Sequence, residues 1–348
     1  MSAQAGDALA RAAEAGIHRL SIPTPFAVGR VNTYLIEDRP LTLVDSGPNS
    51  GKALDELERQ LRAHGHAIED LELLVITHQH IDHLGLVDIL ARRSGAEVAA
   101  LDLLADYVAR YSQDAERDDE FAESLMRRHG IPEDVVYALR SVSRAFRAWG
   151  SSANVSRPLR DGERLELRDR RLEVLHRPGH SPTDTLFWDA ERRILLAADH
   201  LLKHISSNPL IARPPGAAPD AGARPRALIT YLESLKATGA LPAELVLAGH
   251  GDPITDHVAL IDQRLTFHAR RAEKILRLVA DQPRTAYEIA QAMWGNVAVT
   301  QAYLTLSEVL GHLDLLAEDG RVSEVGGDGA APVRFRAQPE AGRAVPAP

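Results

Sequence analysis

The chain has 348 residues, of which 45% are hydrophobic and 26% charged, and its formal net charge is −9. That length suits one large and one small domain, and the acidic balance disfavours broad binding to nucleic-acid phosphates. The absence of cysteine excludes disulfide bonds, thiolate metal ligands and a cysteine nucleophile. No apolar run reaches membrane-spanning length and the N-terminus lacks a secretory-signal pattern, so we predict a cytoplasmic location and no membrane partner.

Strands and helices are predicted to alternate from residue 17 to residue 101. The predicted strands are the short aliphatic runs IHRLSI, VNTYLIE, LTLVD and LLVIT, which Pro, Gly and Asp bound. Leucines at helical spacing predict a helix over 52–64, and a second helix over 84–93 is predicted to end at Gly95.

Residues 102–150 are predicted to form a helical insertion. Its apolar side chains recur on one helical face, as in Val135, Leu139, Val142, Phe146 and Trp149. Two interpretations stay open, because such helices serve either as a scaffold or as a cap over a substrate pocket.

Strands are predicted again between residues 159 and 249. The segment ERLELRDRRLEVLH predicts a hairpin, TLFW, ILLAA and LVLAG predict further strands, and the Pro- and Ala-rich stretch 212–226 predicts a loop. Two strand-rich halves with helices outside them indicate stacked sheets covered on both faces.

The C-terminal part is predicted to be helical, with a hairpin at its end. A long helix over 258–280 precedes two shorter helices and the segment RVSEVGGDGAAPVRFRA. This order predicts a small winged-helix domain over 258–338, and the tail 339–348 is predicted to be disordered.

The segment LLVITHQHIDHLG at 73–85 carries the chemistry. A predicted strand ends in Thr77 and is followed within six residues by His78, His80, Asp82 and His83. Imidazole and carboxylate groups suit zinc or a similar divalent ion, and such dense packing has little structural rationale without one. The sequence therefore predicts a metal site at this strand end.

Three more ligand-type residues follow predicted strands. His180 follows LEVLH, Asp199 follows ILLAA and His250 follows LVLAG. Each alone suits a loop histidine or a helix cap, but together they repeat one pattern. Such residues at several strand ends are what an active site on a layered α/β fold requires.

This set resembles the metallo-β-lactamase superfamily at all seven ligand positions of its two-metal members. The resemblance implies an α/β fold, a four-layer αββα sandwich over residues 1–257, and two divalent metal ions, zinc by ligand type with iron or manganese as alternatives. It assigns His78, His80 and His180 to the first metal, Asp82, His83 and His250 to the second, and a bridging role to Asp199. Asp45, in LTLVDSGP, matches a supporting aspartate of the family.

The resemblance also implies a reaction. A hydroxide between the two metals attacks the bond, with Asp82 and Asp199 as the catalytic carboxylates. True β-lactamases of this fold generally lack the bridging aspartate and many use a cysteine ligand, so antibiotic hydrolysis is disfavoured. The chain is more similar to the glyoxalase II, lactonase and nuclease side of the superfamily.

Three functions compete. The favoured one is hydrolysis of an ester, thioester or lactone of a small-molecule acyl substrate; the alternatives are a metal-dependent nuclease and a DNA-binding regulator. The net charge and the apolar insertion favour a covered pocket. The candidate recognition helix, 300–320, contains Glu308, Asp314, Glu318 and Asp319 without Lys or Arg, which disfavours contact with phosphate. The C-terminal domain is interpreted as packing on the catalytic domain or forming a homo-oligomer.

Substrate contacts are predicted just after the bridging aspartate. His200, Lys203 and His204 are candidates for the rim of the site, and Lys203 suits a substrate carboxylate or phosphate. The alternative is a solvated loop.

Overall fold

The computed structural model describes residues 3–219, 224–327 and 331–339, so most of the tail predicted to be disordered lies outside the described residues. The strands of these ranges, in chain order, are β1 (Ile17–Ile22), β2 (Val31–Ile36), β3 (Thr42–Val44), β4 (Leu73–Ile76), β5 (Glu97–Leu101), β6 (Arg157–Leu159), β7 (Arg164–Glu166), β8 (Arg171–His176), β9 (Thr185–Asp189), β10 (Ile194–Ala198), β11 (Leu245–Ala248), β12 (Arg284–Thr285), β13 (Val322–Val325) and β14 (Arg334–Ala337). The α-helices are α1 (Ala3–Glu14), α2 (Gly51–Ala63), α3 (Ile81–Leu84), α4 (Val87–Ser94), α5 (Asp102–Ala109), α6 (Tyr111–Arg128), α7 (Glu133–Phe146), α8 (Ala227–Gly239), α9 (His257–Leu278), α10 (Ala286–Trp294), α11 (Val297–Thr300) and α12 (Ala302–Glu318).

The chain divides into two compact units. The first comprises Met1–Glu116, Arg144–Ser207 and Ser234–Ile261, and the second comprises Arg117–Ser143, Asn208–Glu233 and Asp262–Pro348. The middle of the helical insertion thus groups with the C-terminal segment, whereas the sequence-based division places it in the catalytic domain. Periodicity identifies which face of a helix is apolar but not which partner will bury it.

Two sheets form the centre of the first unit. The six-stranded sheet has the order β1-β2-β3-β4-β5-β6 and the five-stranded sheet the order β11-β10-β9-β8-β7. Strands β3 to β6 run parallel, as do β10 and β11, while the other neighbours are antiparallel. The hairpin predicted in ERLELRDRRLEVLH is the β7–β8 pair, with Leu165 opposite Leu172.

Alternating side chains divide the first unit into layers. One face of each sheet contributes to a shared core, in which Val44 and Val75 of the first sheet meet Val174 and Phe187 of the second. The opposite face of the first sheet packs on helices, with Leu57 of α2 among the fully buried side chains there. This α/β arrangement confirms the predicted fold class.

The second unit has a core of its own. Apolar residues of α6 and α7, such as Leu125 and Val136, share this core with residues of α10, α12 and β14. Helix α10 begins with a capping box, in which Thr285 accepts from the Glu288 amide and Glu288 accepts in return. Strands β12, β14 and β13 form a small sheet at the end of the unit.

The candidate recognition helix α12 is mostly buried within the second unit. Glu308 and Asp314 are buried and form ion pairs with Arg271 and Arg224, respectively. Their charges are therefore neutralised inside the unit, and the argument that they repel phosphate is wrong for these two. Burial itself leaves this helix little surface to offer a DNA groove.

None of the helices in the described ranges combines the length and hydropathy that a membrane crossing requires.

Candidate metal centre

The carboxyl ends of four strands deliver the candidate ligands. β4 ends at Ile76, just before His78, and β8 is followed by the loop that carries His180. Asp199 directly follows β10, and His250 comes two residues after β11. The predicted association of ligand-type residues with strand ends is therefore present in the structure.

The seven residues fall into two groups of ligand atoms. Within each group, one nitrogen or oxygen from every member lies within 4.8 Å of those of the others. The first group is His78, His80, His180 and Asp199, and the second is Asp82, His83 and His250. These are the sets that the family resemblance implies for two metals.

One carboxylate oxygen lies between the two groups. Asp199 Oδ2 is 3.6 Å from His180 Nε2, 3.5 Å from His83 Nε2 and 3.5 Å from His250 Nε2. Atoms bound to one four-coordinate zinc with bonds near 2.0–2.1 Å lie about 3.3 Å apart. Asp199 Oδ2 is thus at ligand spacing from imidazole nitrogens of both groups.

Contacts behind the rings decide which nitrogen faces the centre. The Thr77 hydroxyl donates to Asp45 at 2.9 Å and accepts from His78 Nδ1 at 2.9 Å. His83 Nδ1 donates to Asp45 Oδ2 at 2.7 Å, and His250 Nδ1 donates to the Arg30 carbonyl at 2.9 Å. Each ring consequently presents the Nε2 lone pair to the centre, as metal-ligating histidines do.

Several buried polar atoms at the centre have no hydrogen-bond partner among the described residues. They are His78 Nε2, His83 Nε2 and Asp199 Oδ1. Unpaired buried polar atoms are costly, and native structures rarely leave them so. Three such atoms in one donor set fit a site built for cations.

The electrostatics of the centre point the same way. Burial, reinforced by neighbouring histidines, lowers the pKa of His78 well below its usual value and that of His80 to about 3, so both rings stay neutral. Burial opposes ionisation of Asp199, but His250 and His83 hold its pKa well below the usual range. Burial also opposes charge on His250, yet Asp199 raises its pKa to about 10. His78 and His80 thus keep free lone pairs, while the Asp199 carboxylate favours positive charge at His250, the charge that a bound cation would supply in place of the proton.

The backbone around Asp199 is tightly constrained. Ala198 has a positive φ of 41° and Asp45 one of 61°, conformations that L side chains rarely adopt. A Cβ placed on Gly249 would lie 2.2 Å from Asp199 Oδ1 and 3.0 Å from His83 Cε1. Glycine is therefore required where β11 leads to His250.

The residues predicted for substrate contact are placed less uniformly. His200 is buried and its Nε2 is 3.0 Å from Thr238 Oγ1, so its predicted position at a rim is wrong. Lys203 is half-buried, and His204 is exposed with its Nε2 3.3 Å from Asp252 Oδ2. Neither belongs to the two ligand groups.

Sequence reasoning missed several supporting residues. The Tyr34 hydroxyl and the Asn32 amide donate to the Ala248 carbonyl at 2.6 and 2.9 Å, and so fix the loop that carries His250. Ser181 donates through its amide and its hydroxyl to Asp184, at 2.9 and 2.7 Å, directly after His180. The S-x-x-D spacing was a readable signal for the second pair, whereas nothing local marked the first.

Three aromatic side chains lie together in the first unit. Phe26 meets Phe146 and Trp149 edge-on at centroid distances of 5.6 and 5.4 Å, and the last two are 4.9 Å apart. The Trp149 carbonyl oxygen accepts a hydrogen bond from the Asn49 amide at 2.7 Å. The same oxygen lies so close to Gly85 that a Cβ added there would be 2.3 Å away. The aromatic trio is thus carried by segments that adjoin the ligand loops.

Comparisons with known proteins match this fold and donor set. A family model described as the metallo-beta-lactamase superfamily matches residues 27–250. A probable metallo-hydrolase of Bacillus subtilis (strain 168), YqjP, is 32% identical over 305 residues, which are 87% of this chain and 93% of that protein.

Solved structures agree over nearly the whole chain. The metallo-beta-lactamase family protein TTHA1429 from Thermus thermophilus is 29% identical with a TM-score of 0.75, covering 93% of this chain and 99% of that one. A beta-lactamase domain protein from Burkholderia ambifaria is 26% identical with a TM-score of 0.78, covering 93% and 92%.

The fold and the donor set define a metal-dependent hydrolase. The chain belongs to the metallo-beta-lactamase superfamily.

Proposed function

We propose that this hydrolase cleaves an ester, thioester or lactone bond of a small-molecule acyl substrate and holds two divalent cations, zinc by donor type. The position of Asp199 Oδ2 carries the proposal, because it lies 3.5–3.6 Å from imidazole nitrogens of both ligand groups. A bridging aspartate and the lack of cysteine also favour the glyoxalase II- and lactonase-like side of the superfamily over its true β-lactamases.

In this proposal His78, His80 and His180 hold one cation, Asp82, His83 and His250 hold the other, and Asp199 serves both. When bound, the cations supply Lewis-acid activation of water and of the substrate carbonyl. The chain supplies the geometry: Asp45 orients the His83 ring from 2.7 Å, and the Arg30 carbonyl orients that of His250 from 2.9 Å.

Asp82 has a second role in the proposed reaction. Its Oδ2 is 3.3 Å from His250 Nε2, and although burial opposes ionisation, His83 and His250 keep its pKa below the usual value. It therefore stays a carboxylate, which accepts a hydrogen bond and orients the attacking water.

The aromatic trio of Phe26, Phe146 and Trp149 is proposed to bind the apolar part of the acyl substrate. Phe146 is 37% exposed and Phe26 and Trp149 are half-buried, so their ring faces are available. An apolar surface suits an acyl chain and offers no charge to a phosphodiester.

The C-terminal elements are proposed to form a winged-helix domain that mediates self-association. The order β12, α10, α11, α12, β13, β14 with one small sheet supports the fold. Val297, Val299 and Leu304 are 45%, 37% and 39% exposed and offer an apolar surface. Sedimentation of Leu304→Glu should give a smaller species than wild type; an unchanged mass would contradict this.

A substrate panel tests the proposed reaction. The purified chain is assayed with short and long acyl thioesters, a lactone, an aryl ester and a single-stranded RNA, beside Asp199→Asn. Asp88→Asn is the matched control, because this half-exposed aspartate of α4 pairs only with Arg92 at 2.6 Å among the ion pairs described. We expect acyl hydrolysis that Asp199→Asn loses and Asp88→Asn keeps. Cleavage of RNA alone, or full activity in Asp199→Asn, would contradict the proposal.

A further inference from the structure

The first unit carries another group of ligand-type side chains outside the metal centre. His18, Glu37 and His64 place ligand atoms within 4.8 Å of one another. His66 joins them, with its Nε2 3.4 Å from Glu37 Oε1. We name these four residues the β1–α2 histidine cluster.

Regular structure positions the cluster. His18 lies in β1, and pairing of Ile17 with Ile36 brings Glu37, the residue after β2, to the same end of the hairpin. The Glu37 amide donates to the Gly16 carbonyl at 2.8 Å. The backbone positions of His18 and Glu37 are therefore set by strand pairing and not by a flexible loop.

The end of α2 supplies the other two imidazoles. His64 caps the helix, and the amides of His64, Gly65 and His66 bond back to carbonyls of its last turn at 2.9–3.0 Å. Gly65 has a φ of 81°, which lets the chain turn and project both histidines from one tight cap. Gln60 ties this helix to β1 through two hydrogen bonds with the Ser21 backbone, at 2.7 and 3.0 Å.

The spacing of donors suits coordination. His18 Nε2 is 2.9 Å from Glu37 Oε2, and the other carboxylate oxygen faces His66. The His18 and His64 rings lie 4.3 Å apart between centroids. Neighbouring ligand atoms around a tetrahedral zinc lie about 3.3 Å apart. His18, Glu37 and His64 are already grouped near this spacing, and His66, which contacts Glu37, would have to rotate toward the other two histidines to become the fourth ligand.

We propose that the β1–α2 histidine cluster is a second metal site, which binds one divalent zinc ion through three imidazoles and one carboxylate. The side chains of His18, Glu37 and His66 are 15–39% exposed, so an ion can reach them from solvent. Three imidazoles with one carboxylate form the borderline-soft donor set that zinc takes in proteins.

Ion pairing alone explains the cluster less well. Glu37 can balance one protonated histidine, yet three histidines surround it. Burial and the neighbouring His18 lower the pKa of His64, which keeps that ring in the neutral form that offers a lone pair. A bound cation would instead accept a lone pair from each of the three imidazoles and from the carboxylate.

A buried group in the second unit makes a useful contrast. His268, Glu308 and His312 also place ligand atoms within 4.8 Å. There the Arg271 guanidinium already pairs with Glu308, and His312 Nδ1 bonds to the Glu308 carbonyl at 2.6 Å. A guanidinium on the carboxylate repels a cation, so this group is a poorer cation site than the β1–α2 histidine cluster.

Zinc counting tests the proposal. Wild type, His64→Gln and Glu37→Gln are equilibrated with Zn²⁺ at micromolar free concentration, and bound zinc is measured by elemental analysis. His204→Gln is the control, because His204 is an exposed histidine beside a single carboxylate, Asp252. The same comparison in a His80→Ala background separates the cluster from the metal centre.

We expect His64→Gln and Glu37→Gln each to bind one zinc per chain fewer than wild type, in both backgrounds, while His204→Gln keeps the wild-type content. Melting curves by circular dichroism establish that the variants are folded. If one of the two cluster variants does not fold, the zinc content of the other tests the proposal. Equal zinc in wild type and the folded variants would overturn the proposal. So would extra zinc that appears only at millimolar concentration.

Discussion

Gly249→Ala is a small change that should disable the metal centre. The added Cβ would lie 2.2 Å from Asp199 Oδ1, 3.0 Å from the Ala198 carbonyl carbon and 3.0 Å from His83 Cε1. An ordinary carbon–oxygen contact is about 3.4 Å, so the carboxylate must retreat by about 1 Å. Metal–ligand distances tolerate only about 0.2 Å.

We therefore expect Gly249→Ala to lose bound zinc and to lower kcat/KM by roughly 100-fold, the typical cost of a 1 Å misplacement. The cost in folding free energy should be about 1–3 kcal/mol, as for other overpacked sites. Elemental analysis, turnover of the best substrate and thermal unfolding measure these effects. Gly239→Ala is the matched control, because its Cβ would meet Ile261 at an ordinary 3.6 Å. Wild-type zinc content and activity in Gly249→Ala would refute the geometry of the centre.

Three further substitutions test the supports, the second unit and the substrate surface. Asp45→Asn should weaken zinc binding by about 10–100-fold in chelator competition. In the wild type one Asp45 oxygen accepts from the Thr77 amide and the other accepts from the Thr77 hydroxyl and from His83 Nδ1. The asparagine NH₂ group cannot accept, so at least one of these hydrogen bonds is lost. His129→Phe should remove an acid-induced loss of stability. His129 is buried, and burial, reinforced by Arg224, lowers its pKa to about 3. The unfolded chain alone then binds the proton as pH falls below about 6.5, which destabilises the wild type by about 2 kcal/mol at about pH 5. Trp149→Ala should lower kcat/KM for a long acyl thioester roughly tenfold more than for an acetyl thioester, because the long chain alone needs the aromatic surface.

Controls accompany each of these variants. Asp88→Asn should retain wild-type zinc affinity, and equal affinity in Asp45→Asn would show that the His83 contact is dispensable. Urea unfolding at several pH values should give parallel stability curves above about pH 6.5 for wild type and His129→Phe and diverging curves below it; parallel curves throughout would contradict the assignment. An unchanged preference for acyl length in Trp149→Ala would remove the aromatic trio from the substrate site.

The candidate ligand positions were predictable because several follow a short hydrophobic run that forms a strand, β4 in the six-stranded sheet and β8, β10 and β11 in the five-stranded sheet. His78, His180, Asp199 and His250 could be read in this way, since strand ends are marked by local sequence. The contacts that orient the rings were not readable. The Arg30 carbonyl and His250 Nδ1 are 220 residues apart in sequence, and a backbone carbonyl has no sequence signature.

The division into units was also beyond the sequence. Apolar periodicity identified helices in the insertion, but Leu125 and Val136 share a core with residues of α10 and α12, far along the chain. In the same way, the acidic residues of α12 gave no sign that Arg224 would pair with Asp314, a partner 90 positions away. Local patterns predict elements, while their partners depend on the tertiary fold.

Anomalous X-ray scattering at the zinc absorption edge, from crystals of the zinc-loaded chain, can show directly whether two metal ions share Asp199. Two zinc peaks about 3.5–4 Å apart are expected, one on each side of the Asp199 carboxylate. A single peak at this centre, or a zinc bound away from Asp199 Oδ2, would contradict the proposed two-metal centre.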